Sequence, residues 1–204
     1  MQIEDGKENS MVTVGVLGIQ GAVKEHLEKL RLIPNVEAIT VKTHQELNKV
    51  QGIIIPGGES TAIGKLLKEF SLMEPLKQRI EQGLPVWGTC AGMILLAKEI
   101  CKEPTGHLEV MNIAVKRNAY GSQLNSFSTT KIIEEILENP IPLVFIRAPY
   151  VERFWGEARV IAEVEGNIVA CRENNMLATS FHPELTEDLS FHRYFVERMI
   201  LGKE

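Results

Sequence analysis

The chain predicts a single α/β domain with a mixed, mostly parallel sheet, and three features carry that expectation. Strand-length apolar runs alternate with helical segments of about ten residues through the first half, the mark of βαβ units. The second half turns to strand-like runs separated by turns. No repeat, low-complexity stretch or linker divides the 204 residues, which suffice for one domain with a sizeable core.

Met11–Leu17 is nearly continuous in apolar residues and reads as a strand buried on both faces. Ala22–Ile33 has helical spacing, with Val23, Leu27 and Leu30 on one face. Val36–Val41 and Gly52–Ile55 read as the next strands, Thr61–Phe70 and Met73–Gln82 as helices. Pro85–Trp87 is a short strand and Ala91–Ile100 another helix. Val110–Lys116, Leu143–Arg147, Arg159–Val164, Ile168–Arg172 and Met176–Phe181 follow as strands. Glu165-Gly166-Asn167 is a hairpin signal, and Asp188–Leu201 reads as a closing amphipathic helix. Residues 1–10 read as a flexible tail before a domain spanning 11–204.

Composition excludes several classes. Apolar residues make up 44% and charged residues 24%, with a net charge of −5. No basic block is present, so nucleic acid is not expected as a partner. No apolar run reaches the ~20 residues of a membrane helix, and the polar start lacks a signal core. The three cysteines, Cys90, Cys101 and Cys171, form no C-x-x-C pair. They suit neither a disulfide framework nor a structural metal site, and they fit a reducing cytoplasm.

Gly88-Thr89-Cys90-Ala91-Gly92 lies between an expected strand and an expected helix. G-x-C-x-G in that place forms a nucleophile elbow, a strained turn that lifts the side chain to a helix N-terminus. The helix dipole there favours the thiolate, and the Ala91 N–H is free to donate to an oxyanion. Cys101 and Cys171 have no such setting and read as core or near-surface residues.

A thiolate that cleaves an amide needs an imidazole to move the proton. Of the five histidines, His26, His44, His107 and His192 read as solvated or packed. His182 ends a strand within Ser180-Phe181-His182-Pro183-Glu184. Pro183 keeps the segment extended, so Glu184 lies on the same side as His182 and can orient its ring.

Ile53–Thr61 runs from a buried strand through Pro56-Gly57-Gly58-Glu59-Ser60 into a helix. No Gly-Lys-Ser/Thr follows, so it is not a Walker loop. Paired glycines let backbone N–H groups approach a ligand and adopt positive φ, which suits a second oxyanion donor. Ser60 or Thr61 is positioned to cap the helix.

In chain order, P-G-G-E-S-T, G-T-C-A-G and S-F-H-P-E-L-T together resemble the class I, triad-type glutamine amidotransferases. The opening V-G-V-L-G-I-Q-G-A-V, K-R-N-A-Y-G, V-F-I-R-A-P and H-P-E-L-T-E-D resemble one branch, the glutaminase subunits of pyridoxal 5′-phosphate synthase. The resemblance implies a flavodoxin-like three-layer sandwich. It implies Cys90 as nucleophile with His182 and Glu184 as relay. Gly57, Gly58, Glu59, Ser60 and Ala91 would line the glutamine site and oxyanion hole, with Arg117, Ile146 and Arg147 completing it. It implies a hydrolase, and a lyase as well, with no metal or organic cofactor. The implied partner is a (β/α)₈ synthase subunit of the PdxS type, in a large hetero-oligomer that consumes the ammonia. Docking is expected to flip the Gly57–Gly58 peptide. Ser122 and Asn125 depart from the Arg and Asp common in that branch.

Three other readings stand beside it. One is the glutaminase subunit of another synthase, such as that of histidine biosynthesis. Another is a non-catalytic interaction protein that keeps the fold. The third is a cysteine peptidase or another protein with a similar elbow.

Overall fold

The computed structural model describes residues 11–117 and 126–203. The expected N-terminal tail, Ser122 and Asn125 lie outside the described residues. The first half runs β1 (Val12–Leu17), α1 (Val23–Arg31), β2 (Val36–Val41), α2 (His44–Leu47), β3 (Gly52–Ile55), α3 (Ser60–Glu69), α4 (Met73–Glu81), β4 (Val86–Thr89) and α5 (Ala91–Leu96). Then come β5 (Ala97–Ile100), β6 (Met111–Lys116), β7 (Ser126–Ile133), β8 (Leu137–Ile146), β9 (Tyr150–Phe154), β10 (Arg159–Val164), β11 (Asn167–Glu173) and β12 (Met176–Thr179). A 3₁₀ turn at Pro183–Leu185, α6 (Ser190–Tyr194) and a π-helical turn at Phe195–Ile200 finish the chain.

The strand order β2-β1-β3-β4-β12 is parallel throughout, and β11, β9 and β6 extend it antiparallel. At the far edge β5 pairs parallel with β6, while β10 pairs with β11. Strand alternation splits the core between two faces. Val14, Val16, Ile54 and Trp87 join Leu27 and Leu30 of α1 and Phe191 and Phe195 near the C-terminus. Ile53, Ile55 and Val86 face the other way, toward Ile63, Leu67, Leu76, Ile80 and Leu95 of α3, α4 and α5. The three-layer α/β architecture expected from the sequence is therefore present.

Several local expectations change. The helix from Ala91 ends at Leu96 rather than Ile100. The carbonyls of Leu95 and Leu96 accept instead from the N–H groups of Leu108 and Val110, at 3.0 and 3.1 Å. Ala97 then pairs with Met111 as a strand. Leu143–Arg147 is the end of a longer strand, β8, which forms a separate hairpin with β7. Pro140 and Pro142 are tolerated there because, among the described residues, β8 pairs with β7 alone. β9 was not expected as a strand. The closing helix begins at Ser190 and widens into a π turn, with Leu201 N–H donating to Val196 at 3.0 Å. This lays Phe195 and Ile200 against Gly52, where a Cβ would collide with them.

The expected β10–β11 hairpin is present. Glu165 and Gly166 both take positive φ, 51° and 78°, as a two-residue type I′ turn demands.

Candidate active site

In a parallel sheet of order 2-1-3-4-5, ligands bind beyond the carboxyl ends of the strands, near the switch in strand order. The segments that follow β1, β3, β4 and β12 converge there. They bring Gly21 and Ala22, Gly57–Ser60, Cys90 and Ala91, and His182–Leu185 around a cleft of about 510 Å³, whose lining also includes Ile94, Arg117, Ile146 and Arg147. All eleven site residues named from the sequence line this one cleft. Gly21, Ala22, Ile94 and Leu185 were not named.

Cys90 sits at the expected strand–helix turn with φ 49° and ψ −101°. Such a conformation costs a non-glycine residue of order 1–3 kcal/mol. The surroundings enforce it. The Cys90 N–H donates to the Thr179 carbonyl at 2.7 Å, tying the turn to β12. A Cβ at Gly88 would lie 2.5 Å from the Gly92 backbone. One at Gly92 would collide with the Ile55 carbonyl. Both glycines of G-x-C-x-G are thus required by close backbone approach. Ala91 opens α5, where first-turn N–H groups lack intrahelical acceptors. The Cys90 sulfur lies 3.9 Å from the Ile146 carbonyl.

His182 and Glu184 do meet, but across the 3₁₀ turn Pro183–Leu185 rather than along the extended segment expected, because Pro183 fits the first helical position, where no N–H is needed. His182 Nδ1 and Glu184 Oε1 are 2.8 Å apart, and both residues are buried. With Nδ1 turned to the carboxylate, Nε2 is the nitrogen left for the thiol. Burial pulls the His182 pKa down, but bonding to Cys90 and Glu184, with their charges, outweighs it and raises it to about 10. The arrangement therefore favours the imidazolium form of His182.

The glycine loop works differently from expectation. Neither Gly57 nor Gly58 adopts left-handed φ. They are glycines because of contact: a Cβ at Gly57 would lie 2.5 Å from His182 Cε1, and one at Gly58 would strike the Gln20 amide oxygen. The residue in the left-handed region is Gly21, at φ 107°, and the Ala22 N–H donates to the Gly57 carbonyl at 3.0 Å. Gln20 Oε1 accepts from the Glu59 N–H at 3.0 Å. The loop after β1 thus props the loop after β3.

The cap of α3 is neither Ser60 nor Thr61 but Glu59. Its carboxylate accepts from Thr61 N–H at 3.1 Å and Ala62 N–H at 2.7 Å. Partial burial opposes its charge, yet these donors and the nearby Arg117 hold its pKa below the ordinary range. Ser60 instead is buried. Arg117 pairs with Glu103 at 2.6 Å, stands 3.9 Å from Glu59 and donates to Thr61 Oγ1 at 3.4 Å. A positive group therefore stands at the rim.

The sequence from residue 16 to 201 matches the family model described as the SNO glutamine amidotransferase family. The chain belongs to that family. It is 61% identical over 187 residues to a pyridoxal 5′-phosphate synthase subunit PdxT of Ruminiclostridium cellulolyticum, covering 92% of this chain and 99% of the relative. It is 56% identical to the PdxT subunit of Clostridium botulinum, over 95% of this chain and 100% of the relative. A crystal structure described as a glutamine amidotransferase superposes with a TM-score of 0.83 at 42% identity, covering 90% of this chain and 97% of that one. A putative GMP synthase subunit from Thermoplasma acidophilum shares the fold at a TM-score of 0.62 and 18% identity, covering 93% and 92% of the two chains.

Membership in a glutamine amidotransferase family corrects one expectation. The amidotransferase is a hydrolase and not also a lyase. Water is added across a C–N bond, and nothing is eliminated from the substrate. No helix among the described residues is long and apolar enough to cross a membrane.

From sequence, His26 and His192 read as solvated or packed. They are packed, but against the back of the site. His26 Nε2 stands 3.2 Å from Thr89 Oγ1 and 3.5 Å from Glu184 Oε2, and His26 Nδ1 stands 3.0 Å from His192 Nε2. No local pattern announces a contact between residues 166 apart in sequence.

Proposed function

We propose that the chain is the glutaminase subunit of a pyridoxal 5′-phosphate synthase, with residues 11–204 as its amidotransferase domain. It hydrolyses L-glutamine to L-glutamate and hands the ammonia to a synthase subunit. The observation that carries the chemistry is that buried Cys90, His182 and Glu184 line one cleft, with His182 Nδ1 2.8 Å from Glu184 Oε1. The pathway rests on the high identity to PdxT subunits over nearly their whole length, which favours it over the histidine-pathway reading.

The Cys90 thiolate attacks Cδ of the glutamine side chain, and the carbonyl becomes an oxyanion. The Ala91 N–H and the Gly57–Gly58 peptide supply its donors. His182 gives its Nε2 proton to the amide nitrogen as the C–N bond breaks, and ammonia leaves. A γ-glutamyl thioester remains on Cys90. Water then attacks the thioester carbon, giving its proton to His182, and the C–S bond breaks to release glutamate. Glu184 keeps the ring oriented throughout. Arg117, Arg147, Glu59 and Ser60 receive the charged end of the amino acid, and Ile146 forms the wall beside the sulfur.

The synthase partner is a (β/α)₈ subunit of the PdxS type, assembled with this chain in a large hetero-oligomer in the cytoplasm, where a reducing medium preserves the thiol. Docking turns the Gly57–Gly58 peptide, whose carbonyl rests on Ala22, and so completes the oxyanion hole.

The test is glutamate release from glutamine, by the chain alone and with the synthase subunit. Turnover is expected to rise on adding the synthase and to fall by several orders of magnitude in Cys90→Ala. Near-normal turnover in that variant would overturn the chemistry. Turnover indifferent to the synthase would overturn the partner and the switch.

A further inference from the structure

Glu184 has two carboxylate oxygens, and the triad uses one. Oε1 faces His182. Oε2 is buried with no hydrogen bond of good geometry. A carboxylate oxygen left dry and unpaired is costly. His26 Nε2 stands 3.5 Å from it.

His26 is fully buried on α1, and His192, on α6, is fully buried behind it. Two proton arrangements are open to the neutral pair. In the first, His192 Nε2–H donates to His26 Nδ1, and His26 Nε2–H points between Thr89 Oγ1 and Glu184 Oε2. The single unsatisfied atom of the pair is then His192 Nδ1, an acceptor. In the second, His26 Nδ1–H donates to His192 Nε2. His192 Nδ1–H is then a buried donor with no partner, and the lone pair of His26 Nε2 faces the carboxylate. The first arrangement leaves one bare acceptor. The second leaves a bare donor and a repelled carboxylate oxygen, so the first is favoured.

Both rings stay neutral by the same surroundings. Burial, then the charges of His192 and His182, push the His26 pKa well below its ordinary value. Burial, then Lys29, pull His192 down to about 3. Glu184 is the acidic group facing His26, and it is already engaged by His182.

We propose that His26, held in its Nε2–H tautomer by His192, is a positioning residue that donates to the second oxygen of Glu184 and so fixes the carboxylate that orients His182. This deepens the proposed glutaminase reading and rests on it. The device places α1 and the C-terminal α6 behind the site: the helix that packs on β1 supplies the brace, and the last helix sets its proton.

Two measurements test it. The first is the histidine tautomer in the intact chain, read from two-bond ¹H–¹⁵N correlations of ¹⁵N-labelled protein. His26 is expected as a neutral Nε2–H ring with Nδ1 as acceptor. A protonated Nδ1 would overturn the proposal, and this arm needs no turnover. The second is steady-state kinetics, in complex with the synthase subunit, of His26→Leu, His26→Gln and His26→Asn. The amide nitrogen of Gln reaches the place of Nε2, whereas that of Asn reaches only the place of Nδ1. His26→Leu is expected to lower kcat by about tenfold to a hundredfold, as lost outer contacts to an active-site ligand do, with KM nearly unchanged. Gln is expected to restore most of kcat and Asn little. Equal rescue by both, or a Leu variant within about twofold of the parent, would overturn the role. A parent chain that does not hydrolyse glutamine at all would sink the glutaminase reading instead, while the tautomer would still decide the His26–Glu184 contact.

Discussion

Gly57 and His182 approach so closely that a methyl group on Gly57 would lie 2.5 Å from Cε1 of the imidazole. The crowded edge includes Nδ1, which is tied to Glu184, so a ring shift that makes room disturbs that bond and the placing of Nε2. Gly57→Ala is therefore expected to fold normally and to lose about a hundredfold in kcat, the scale of a misplacement near 1 Å. Steady-state kinetics with far-UV circular dichroism would check it. Unchanged kcat would mean that the loop, not the ring, gives way.

The His182 proton sets the alkaline behaviour. Burial lowers its pKa, but Cys90 and Glu184 raise it from the ordinary 6.5 to about 10. A histidine raised on folding contributes stability that is fully present below its unfolded value and lost as pH climbs through the folded one. The unfolding free energy gap between the parent and His182→Gln should thus narrow from about pH 6.5 to 10. The alkaline limb of kcat/KM should fall near pH 10 rather than near neutrality. A limb at pH 6–7 would show that the imidazolium is not held.

How much of this was readable in the sequence follows from range. The elbow, the His182-Pro183-Glu184 pair and the Glu165–Gly166 turn are local: each is a few residues whose geometry depends on neighbours in the chain. The parallel strands β1, β3 and β4 announce themselves because both faces are buried. β5 was missed because Ala97–Ile100 continues an apolar helical pattern and becomes a strand only through Met111. The β7–β8 hairpin was half missed because its prolines argue against a strand unless the second edge is known to be open. The cap at Glu59 and the brace at His26 were missed for the same reason as each other. Ser60 and Thr61 are as good cap residues as Glu59, and His26 is chemically ordinary until the fold brings it to Glu184.

Glu135 anchors the β7–β8 turn by a cluster that crosses three elements. Its carboxylate accepts from Arg159 of β10, Arg172 of β11 and the Tyr194 hydroxyl of α6. Bonding to Arg159 first, opposed by burial and helped by Tyr194, brings its pKa down to about 2. A depressed carboxylate contributes stability present above its unfolded pKa and lost as pH falls through the folded value. Glu135→Gln should cost about 1–2 kcal/mol at pH 7, toward the low end of charged hydrogen bonds because Arg159 is half exposed and screened. Urea unfolding should show the gap closing between pH 4.5 and 2. A constant gap would assign the cost to packing.

Arg117 separates a strut from a substrate clamp. Its contacts to Glu103, Glu59 and Thr61 lie at the cleft rim, where an ion pair contributes about 0–1 kcal/mol to stability. The guanidinium remains close enough to the cleft to line it. Arg117→Met should therefore leave the melting temperature within a few degrees and raise KM for glutamine, because the α-carboxylate loses a charged donor. Kcat should change less than KM, since the interaction is made equally in the bound substrate and in the transition state. If the melting temperature dropped sharply while KM stayed put, Arg117 would be a strut joining β6 to the start of α3, and the α-carboxylate would belong to Arg147.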